Sequence, residues 1–524
     1  MIRLLMIFRL SRPQCLMSKV KDLSLKCRIR TRRLKIEFQM KPHSTLKRSV
    51  KPMQRSTDRA ETAYTEPLFL SPYIEKCQYY KAREMSKVPL FSMYKEDLRA
   101  HSGYITVKKN ATQSHFFFLF TEVEGNSSEA PLLLWTQGGP GLSALFGFFL
   151  ENGPVGFSVN GSSTPELFER ENTLQKNMSV LYVDLPVGAG FSFTNETAAY
   201  PRRLEDIAED VNQFLKQFLM VFSEYRGRKI FLAGESYGAR YAVAIAENML
   251  KYPHKLPLEP KGIIGGNGFL GPILDTADSS SFLYQTSMLT KEGYGVFAYQ
   301  FEQMRQMLRQ NETSTLSMLL QTIFTDLTKK NETMFQRLTM YDDHASPLHT
   351  QRPWTMLACF RFLSQNKLFK TVIHAGANTT FQYNNPHLLR IFAGDWLRDI
   401  TEMIEEVISR IDAFFYTGQL DALFPSVNQR EYYKKLNWTG ALRYRSAERY
   451  PWKPSEDYYG FAGYIKKGVS FADAVVLGMG HYGAVDKPDE VYHLMTQFVS
   501  DSAKNRELFS PHRDEVTEGP LPQC

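Results

Sequence analysis

Four short apolar runs, each breaking off in a glycine-rich or polar turn, constrain this chain more than any other feature. They are PLLLWTQGGPG at 131–141, MSVLYVDLPVGAG at 178–190, KIFLAGESYG at 229–238 and KGIIGGNG at 261–268. A strand covered on both faces reads as a continuous apolar run rather than as an alternation. Such runs separated by loops and helical stretches predict a mostly parallel sheet with helices on both faces. Residues 103–123 (GYITVKKNATQSHFFFLFTEV) are rich in strand formers around a turn-like centre and predict an antiparallel hairpin. Strand signals return at 411–418 (IDAFFYTG) and 471–478 (FADAVVLG), and a helix is predicted from Pro488. Between them, about 284–368 is rich in Met, Leu, Gln and Lys at helical spacing and predicts a helical insertion over the sheet. The organisation expected is a basic extension over 1–66, one composite domain over 67–500 carrying that insertion, and a tail over 501–524.

Charge separates the extension from the body. Residues 1–60 carry 17 Lys/Arg against Asp22, Glu37 and Asp58, a local charge of +14, which leaves −6 for the rest of a chain whose total is +8. An acidic body argues against nucleic acid as its partner. The opening MIRLLMIFRL is short and apolar with Arg9 inside it, fitting a cleaved signal somewhat better than a transit peptide. No run of about 18 apolar residues predicts a membrane-spanning helix. Nine of 19 asparagines stand in N-x-S/T sequons: Asn110, Asn126, Asn160, Asn177, Asn195, Asn311, Asn331, Asn378 and Asn437. That excess predicts an N-glycosylated protein of the secretory pathway, lysosomal or secreted. Of five cysteines only Cys77 and Cys359 fall clearly inside the domain, and the sequence leaves open whether they pair. No C-x-x-C or His/Cys cluster suggests a metal, and no cofactor is expected.

GESYG at 234–238 fits G-x-S-x-G, with the strand-like RKIFLA before it and the helix-like ARYAVAIAENML after it. In that context the pattern is a nucleophile elbow, a strained turn that exposes the Ser236 hydroxyl and aims the next N–H at a developing oxyanion. A serine nucleophile needs a base, and the base needs an orienting acid. In α/β-hydrolases these follow in the order Ser, Asp, His, each on a loop after a strand. Asp421 stands just past IDAFFYTGQL, and His481 lies in GMGHYG just past FADAVVL. Ser236, Asp421 and His481 are therefore the candidate triad.

With GESYG-x-RY (Arg240-Tyr241), WTQGGPG, ENGP at 151–154, DLPVGAGFSF at 184–193, YTGQLD at 416–421 and GMGH at 478–481 in this order, the chain resembles the serine carboxypeptidases over about 67–500. The closest flavour is the vitellogenic-like carboxypeptidase branch, which also has Gln before Gly-Gly. The resemblance implies an α/β-hydrolase with a mostly parallel sheet and an inserted helical cap, releasing C-terminal residues from peptides through an acyl-enzyme on Ser236. It implies an oxyanion hole from Gly139 and Tyr237, and a grip on the substrate's terminal carboxylate from Trp135, Gln137, Gly138, Glu151 and Glu235. Two carboxyl groups held close cannot both ionise cheaply, so a Glu151/Glu235 pair would bind a carboxylate in acid and lose it as pH rises. An exopeptidase working best in mild acid is the expectation.

The sequence departs from the family pattern at Leu142 (usually Cys), Leu185 (Asn or Gln), Ala239 (Gly), Ala242-Val243 (Val-Pro) and Tyr482-Gly483-Ala484 after the histidine. An acyltransferase or esterase on the same scaffold, and a non-catalytic binding or carrier glycoprotein, stand as alternatives. A retained carboxylate grip separates peptidase from acyltransferase, and a serine-reactive phosphonate that fails to label Ser236 would mark the carrier.

Overall fold

The computed structural model describes residues 65–108, 113–125, 128–159, 165–310, 312, 314–324, 332–383 and 385–509. The basic extension up to residue 64, the centre of the predicted hairpin and residues 510–524 lie outside them.

In chain order the strands are β1 (Ala100–Lys108), β2 (Ser114–Thr121), β3 (Leu132–Thr136), β4 (Val155–Val159), β5 (Pro165–Glu169), β6 (Ser179–Val183), β7 (Phe193–Thr194), β8 (Lys229–Glu235), β9 (Glu259–Gly266), β10 (Asp412–Gly418), β11 (Tyr450–Trp452), β12 (Gly463–Lys467) and β13 (Phe471–Val476). The main sheet runs β1-β2-β6-β3-β8-β9-β10-β13-β12-β11, with β7 beside β2. Its six central strands, β6 to β13 in that order, are parallel to one another, and antiparallel pairs close both edges. β4 and β5 form a separate hairpin.

The four apolar runs supply β3, β6, β8 and β9, at the heart of the sheet. Their uninterrupted character follows from burial on both faces. Along β3, Leu132 and Leu134 pack into one apolar cluster, and Leu133 and Trp135 into the other. Phe231 and Ala233 of β8 likewise face away from Ile230 and Leu232. Each fully buried side chain of this size contributes about 1.5–3 kcal/mol relative to exposure. On one face lie the helices Leu204–Val221 and Gly238–Lys251, whose core stripes face the first cluster. The helix Pro488–Ala503 covers the other through Val491, Leu494, Met495 and Phe498.

Between β9 and β10 the described residues form helices and no strand, from Ile273–Thr276 through Thr401–Ile408. The helical segment expected at 284–368 lies inside this longer stretch. Beyond 500 the chain keeps packing: the Phe509 ring sits 4.7 Å from that of Phe414 and both are buried. Cys77 is exposed and Cys359 buried, both as free thiols. No helix among the described residues is long and apolar enough to cross a membrane. The sequon asparagines within the described residues, Asn177, Asn195, Asn378 and Asn437, are all exposed, and the other five lie outside.

Candidate active site

Parallel strands present their C-terminal ends, and the loops that follow them, on one edge of the sheet. Ser236 directly follows β8 and precedes the helix Gly238–Lys251. Its φ of +56° is the left-handed conformation that a non-glycine residue adopts only under constraint. The constraint is visible. Ser236 N donates to Gly266 O at 2.8 Å, and Ser236 O accepts from Phe269 N at 3.1 Å and Ala239 N at 3.1 Å. Close packing explains the glycines: a Cβ on Gly138 would lie 2.7 Å from the Ser236 Cβ and 2.9 Å from Tyr237 N. The Gly138-Gly139 turn, with Gly139 at φ +114°, therefore rests directly against the elbow. Among the described residues neither Gly139 N–H nor Tyr237 N–H donates to a protein acceptor. The Tyr237 side chain turns away, its hydroxyl donating to Asp395 Oδ2 at 2.8 Å.

Asp421 and His481 follow β10 and β13, which are adjacent and in register at Gly418 and Val476. The two loops are laced together where they leave the sheet, Gln419 N donating to Val476 O at 2.9 Å and Leu420 N to Met479 O at 2.8 Å. His481 Nδ1 lies 2.9 Å from Asp421 Oδ2. The other carboxylate oxygen of Asp421 accepts from Leu423 N and Phe424 N, each at 2.9 Å, so the acid is fixed from both sides. Burial pulls the His481 imidazole toward neutrality, but the charge and hydrogen bond of Asp421 and the charge of Glu235 outweigh it and raise the pKa. His481 N donates to Ala345 O at 2.9 Å, so the region between β9 and β10 also holds this loop.

One residue of the site was not singled out by sequence reasoning. Asn267, fully buried at φ +44° just after β9, donates to Gly480 O at 3.1 Å and His481 O at 2.8 Å. Its Oδ1 accepts from Gly418 N at 2.7 Å. It thus ties the loop of the base to the strand that delivers the acid. The signal available was the Asn flanked by glycines at the end of the GIIGG strand.

Beside the serine a polar chain runs through the apolar interior. Trp135 Nε1 donates to Gln137 Oε1 at 3.1 Å, and Gln137 Nε2 to Glu235 Oε2 at 2.8 Å. Glu235 Oε1 accepts from Gly483 N at 2.8 Å. Glu151 completes the set from the turn Gly147–Asn152, where Gly147 leaves room for the Trp135 indole. Both Glu151 oxygens are buried and receive no hydrogen bond from an N–H. The Glu235 carboxyl is a close charged neighbour of Glu151, and two buried carboxyls so placed cannot both ionise cheaply. Burial pushes Glu151 well above the usual carboxyl range, and the Glu235 charge and hydrogen bond push it further. Burial also raises Glu235, with the hydrogen bond from Glu151 pulling back. Asp184 braces the same region. It accepts from Ser143 Oγ at 2.6 Å, Ala144 N at 2.8 Å and Phe191 N at 2.7 Å.

Ser236, His481, Gln137, Gly138, Gly139 and Glu235 all line one cleft of about 230 Å³. Its walls are mostly apolar, with Phe146, Phe360, Tyr383 and Tyr482 among them. Trp135, Glu151, Asp421 and Tyr237 are buried and do not line it. Several of the departures noted in the sequence lie at or near the site. Leu185 is buried in an apolar cluster. The Ala239 methyl faces Gly265 and Gly268, where further Cβ atoms would stand only 3.2 and 2.9 Å from it. Tyr482 and Leu142 line the cleft, and Gly483 holds Glu235 through its N–H.

The family model described as serine carboxypeptidase matches residues 89–501. The chain is 30% identical over 437 residues to the probable serine carboxypeptidase CPVL of Homo sapiens, covering 83% of this chain and 90% of that one. It is 30% identical to the venom serine carboxypeptidase of Apis mellifera over 83% of this chain and 91% of the relative. The vitellogenic carboxypeptidase of Aedes aegypti is 25% identical over 83% of this chain and 90% of its own length. Among solved structures, the prohormone-processing carboxypeptidase Kex1 of Saccharomyces cerevisiae superposes with a TM-score of 0.66 at 18% identity, over 80% of this chain and 96% of that chain. That likeness establishes the fold.

Proposed function

The chain belongs to the serine carboxypeptidase family, and on that premise we propose that Ser236, His481 and Asp421 carry out peptide hydrolysis at free C-termini. The single observation that carries the reading is that Ser236, His481 and Glu235 line one cleft while His481 is hydrogen-bonded to Asp421. His481 takes the Ser236 proton as the hydroxyl attacks the last peptide carbonyl, and Asp421 stabilises the imidazolium that results. Gly139 N–H and Tyr237 N–H receive the oxyanion. The proton returns through His481 to the leaving amine and the terminal amino acid departs. Water activated by the same imidazole then frees the shortened peptide from Ser236.

Gln137, Gly138 and the protonated Glu151/Glu235 pair bind the terminal carboxylate, oriented by Trp135. The sign of the pH dependence follows from the raised carboxyls. Below their pKa the pair keeps a proton and avoids a second negative charge, and above it that second charge repels the substrate, so KM climbs as pH rises. The acid limb belongs to His481, which must be neutral to act as base. Exposure of Asn177, Asn195, Asn378 and Asn437 supports N-glycan attachment and a secreted or lysosomal location.

The test is amino-acid release from blocked dipeptides between pH 4 and 8 by residues 61–524 expressed through a secretory host. Release that vanishes in Ser236→Ala supports the reading. A folded, glycosylated protein that releases nothing refutes it.

A further inference from the structure

The turn that carries Glu151 is held by a cation from another segment of the chain. Gly147–Asn152 is a wide helical turn of six residues, and its end leaves carbonyl oxygens without intrahelical partners. Those carbonyls also gather the negative end of the peptide dipoles beside the buried Glu151. The chain passes from this turn into β4, reverses, and comes back along β5 to Arg170. Arg170 N donates to Pro154 O at 2.9 Å, which closes the hairpin on the turn. Its guanidinium then spreads over three carbonyls: Nη1 donates to Phe148 O at 3.2 Å and to Gly153 O, and Nη2 donates to Phe149 O at 2.7 Å. The Phe168 ring, 5.9 Å from the guanidinium carbon, backs the other side.

From this geometry we propose that Arg170 is a positioning residue for substrate binding: it clamps the Gly147–Asn152 turn so that Glu151 faces Glu235 at the carboxylate grip. The inference rests on the proposed carboxypeptidase reading of the site. A planar fork with five donors meets three carbonyls at once, which a lysine ammonium cannot match. Neither Glu151 oxygen is held by a hydrogen bond among the described residues, so where they stand depends on the turn that carries them. Release of the clamp lets the turn unwind by a fraction of an ångström, enough to separate the carboxyls that must share a proton. Burial lowers the guanidinium only to about 10, so the clamp keeps its charge throughout the working range.

The experiment compares the unmodified chain with Arg170→Gln and Arg170→Lys, using blocked dipeptides for kcat and KM. In parallel it measures the rate at which a phosphonate without a carboxylate labels Ser236. Arg170→Gln is expected to raise KM by tenfold or more, with kcat within threefold and the labelling rate unchanged. Arg170→Lys should raise KM by about threefold. A KM within twofold of the parent in Arg170→Gln overturns the inference, as does a labelling rate that falls in step with kcat/KM. So does failure of both variants to give soluble, labelled protein, because Arg170 would then serve folding rather than binding. Absence of peptide release from the unmodified chain, with Ser236 still labelled, sinks the carboxypeptidase reading and the inference together.

Discussion

Replacing Asn267 by Ala removes three hydrogen bonds, to Gly480 O, His481 O and Gly418 N, from a side chain with no exposure to solvent. Each buried group left without a partner costs about 1–3 kcal/mol. Water entering the vacated space recovers some of this, so the low end applies and the three groups together cost about 3 kcal/mol. The residue also sits at φ +44°, where Asn is tolerated far better than Ala, which adds about 1 kcal/mol. A loss near 4 kcal/mol is the expectation for urea unfolding. Function should suffer separately, because the backbone of the base is one of the three partners. A His481 displaced by about 1 Å lowers kcat by about a hundredfold. Asn267→Asp is the sharper control. It keeps an oxygen for Gly418 N but turns a carboxylate toward the two carbonyls, so it should be no better than Ala despite its identical shape. A stability loss below about 1 kcal/mol with kcat within twofold, or an Asp variant that behaves like the parent, would refute the reasoning.

Other changes separate the components of the site. Asp421→Asn should lower kcat by about 10³–10⁴-fold, by holding His481 in the wrong tautomer, while KM moves little in steady-state kinetics. Glu235→Gln stays neutral at every pH, so the alkaline rise in KM should disappear; a KM that still climbs tenfold between pH 5 and 8 would assign that rise elsewhere. Gly138→Ala sets a methyl 2.7 Å from the Ser236 Cβ, so phosphonate labelling of Ser236 should slow by at least tenfold. Glycosidase treatment of the chain from a secretory host should shift its mobility, and Asn→Gln at positions 177, 195, 378 and 437 should each remove one step of that shift.

The sheet was legible because its chemistry is local. A strand buried on both faces has to be apolar throughout, and 131–136, 178–183, 229–233 and 261–265 show this without reference to any partner. The elbow was legible for the same reason, since nucleophile, glycines, strand and helix fit within about 20 residues. What escaped were contacts between distant segments whose residue types carry no signal. Asn267 binds a loop more than 200 residues away. Arg170 grips carbonyls, and a carbonyl has no sequence. The strand-free stretch proved longer than its helical periodicity suggested, because short helices such as Pro386–Ile391 and Ala393–Trp396 span too few turns to show a period.

Glu235 stands next to the proposed nucleophile in the chain and takes hold of Gly483, two residues after the proposed base, through the carboxyl we assign to the substrate grip. Recognition of a chain end and the seat of the proton carrier therefore share one anchor. A protease that cuts within chains has no use for such a carboxyl, yet deleting it here would loosen the loop on which every cut depends. Broadening the repertoire from chain ends to chain interiors thus asks for a side chain at 235 that still tethers the histidine loop but leaves the floor of the cleft neutral. Glutamine at 235 keeps an oxygen for Gly483 N–H while removing the charge, so the path away from chain ends runs through that one amide, and any shorter side chain gives up the tether with the grip.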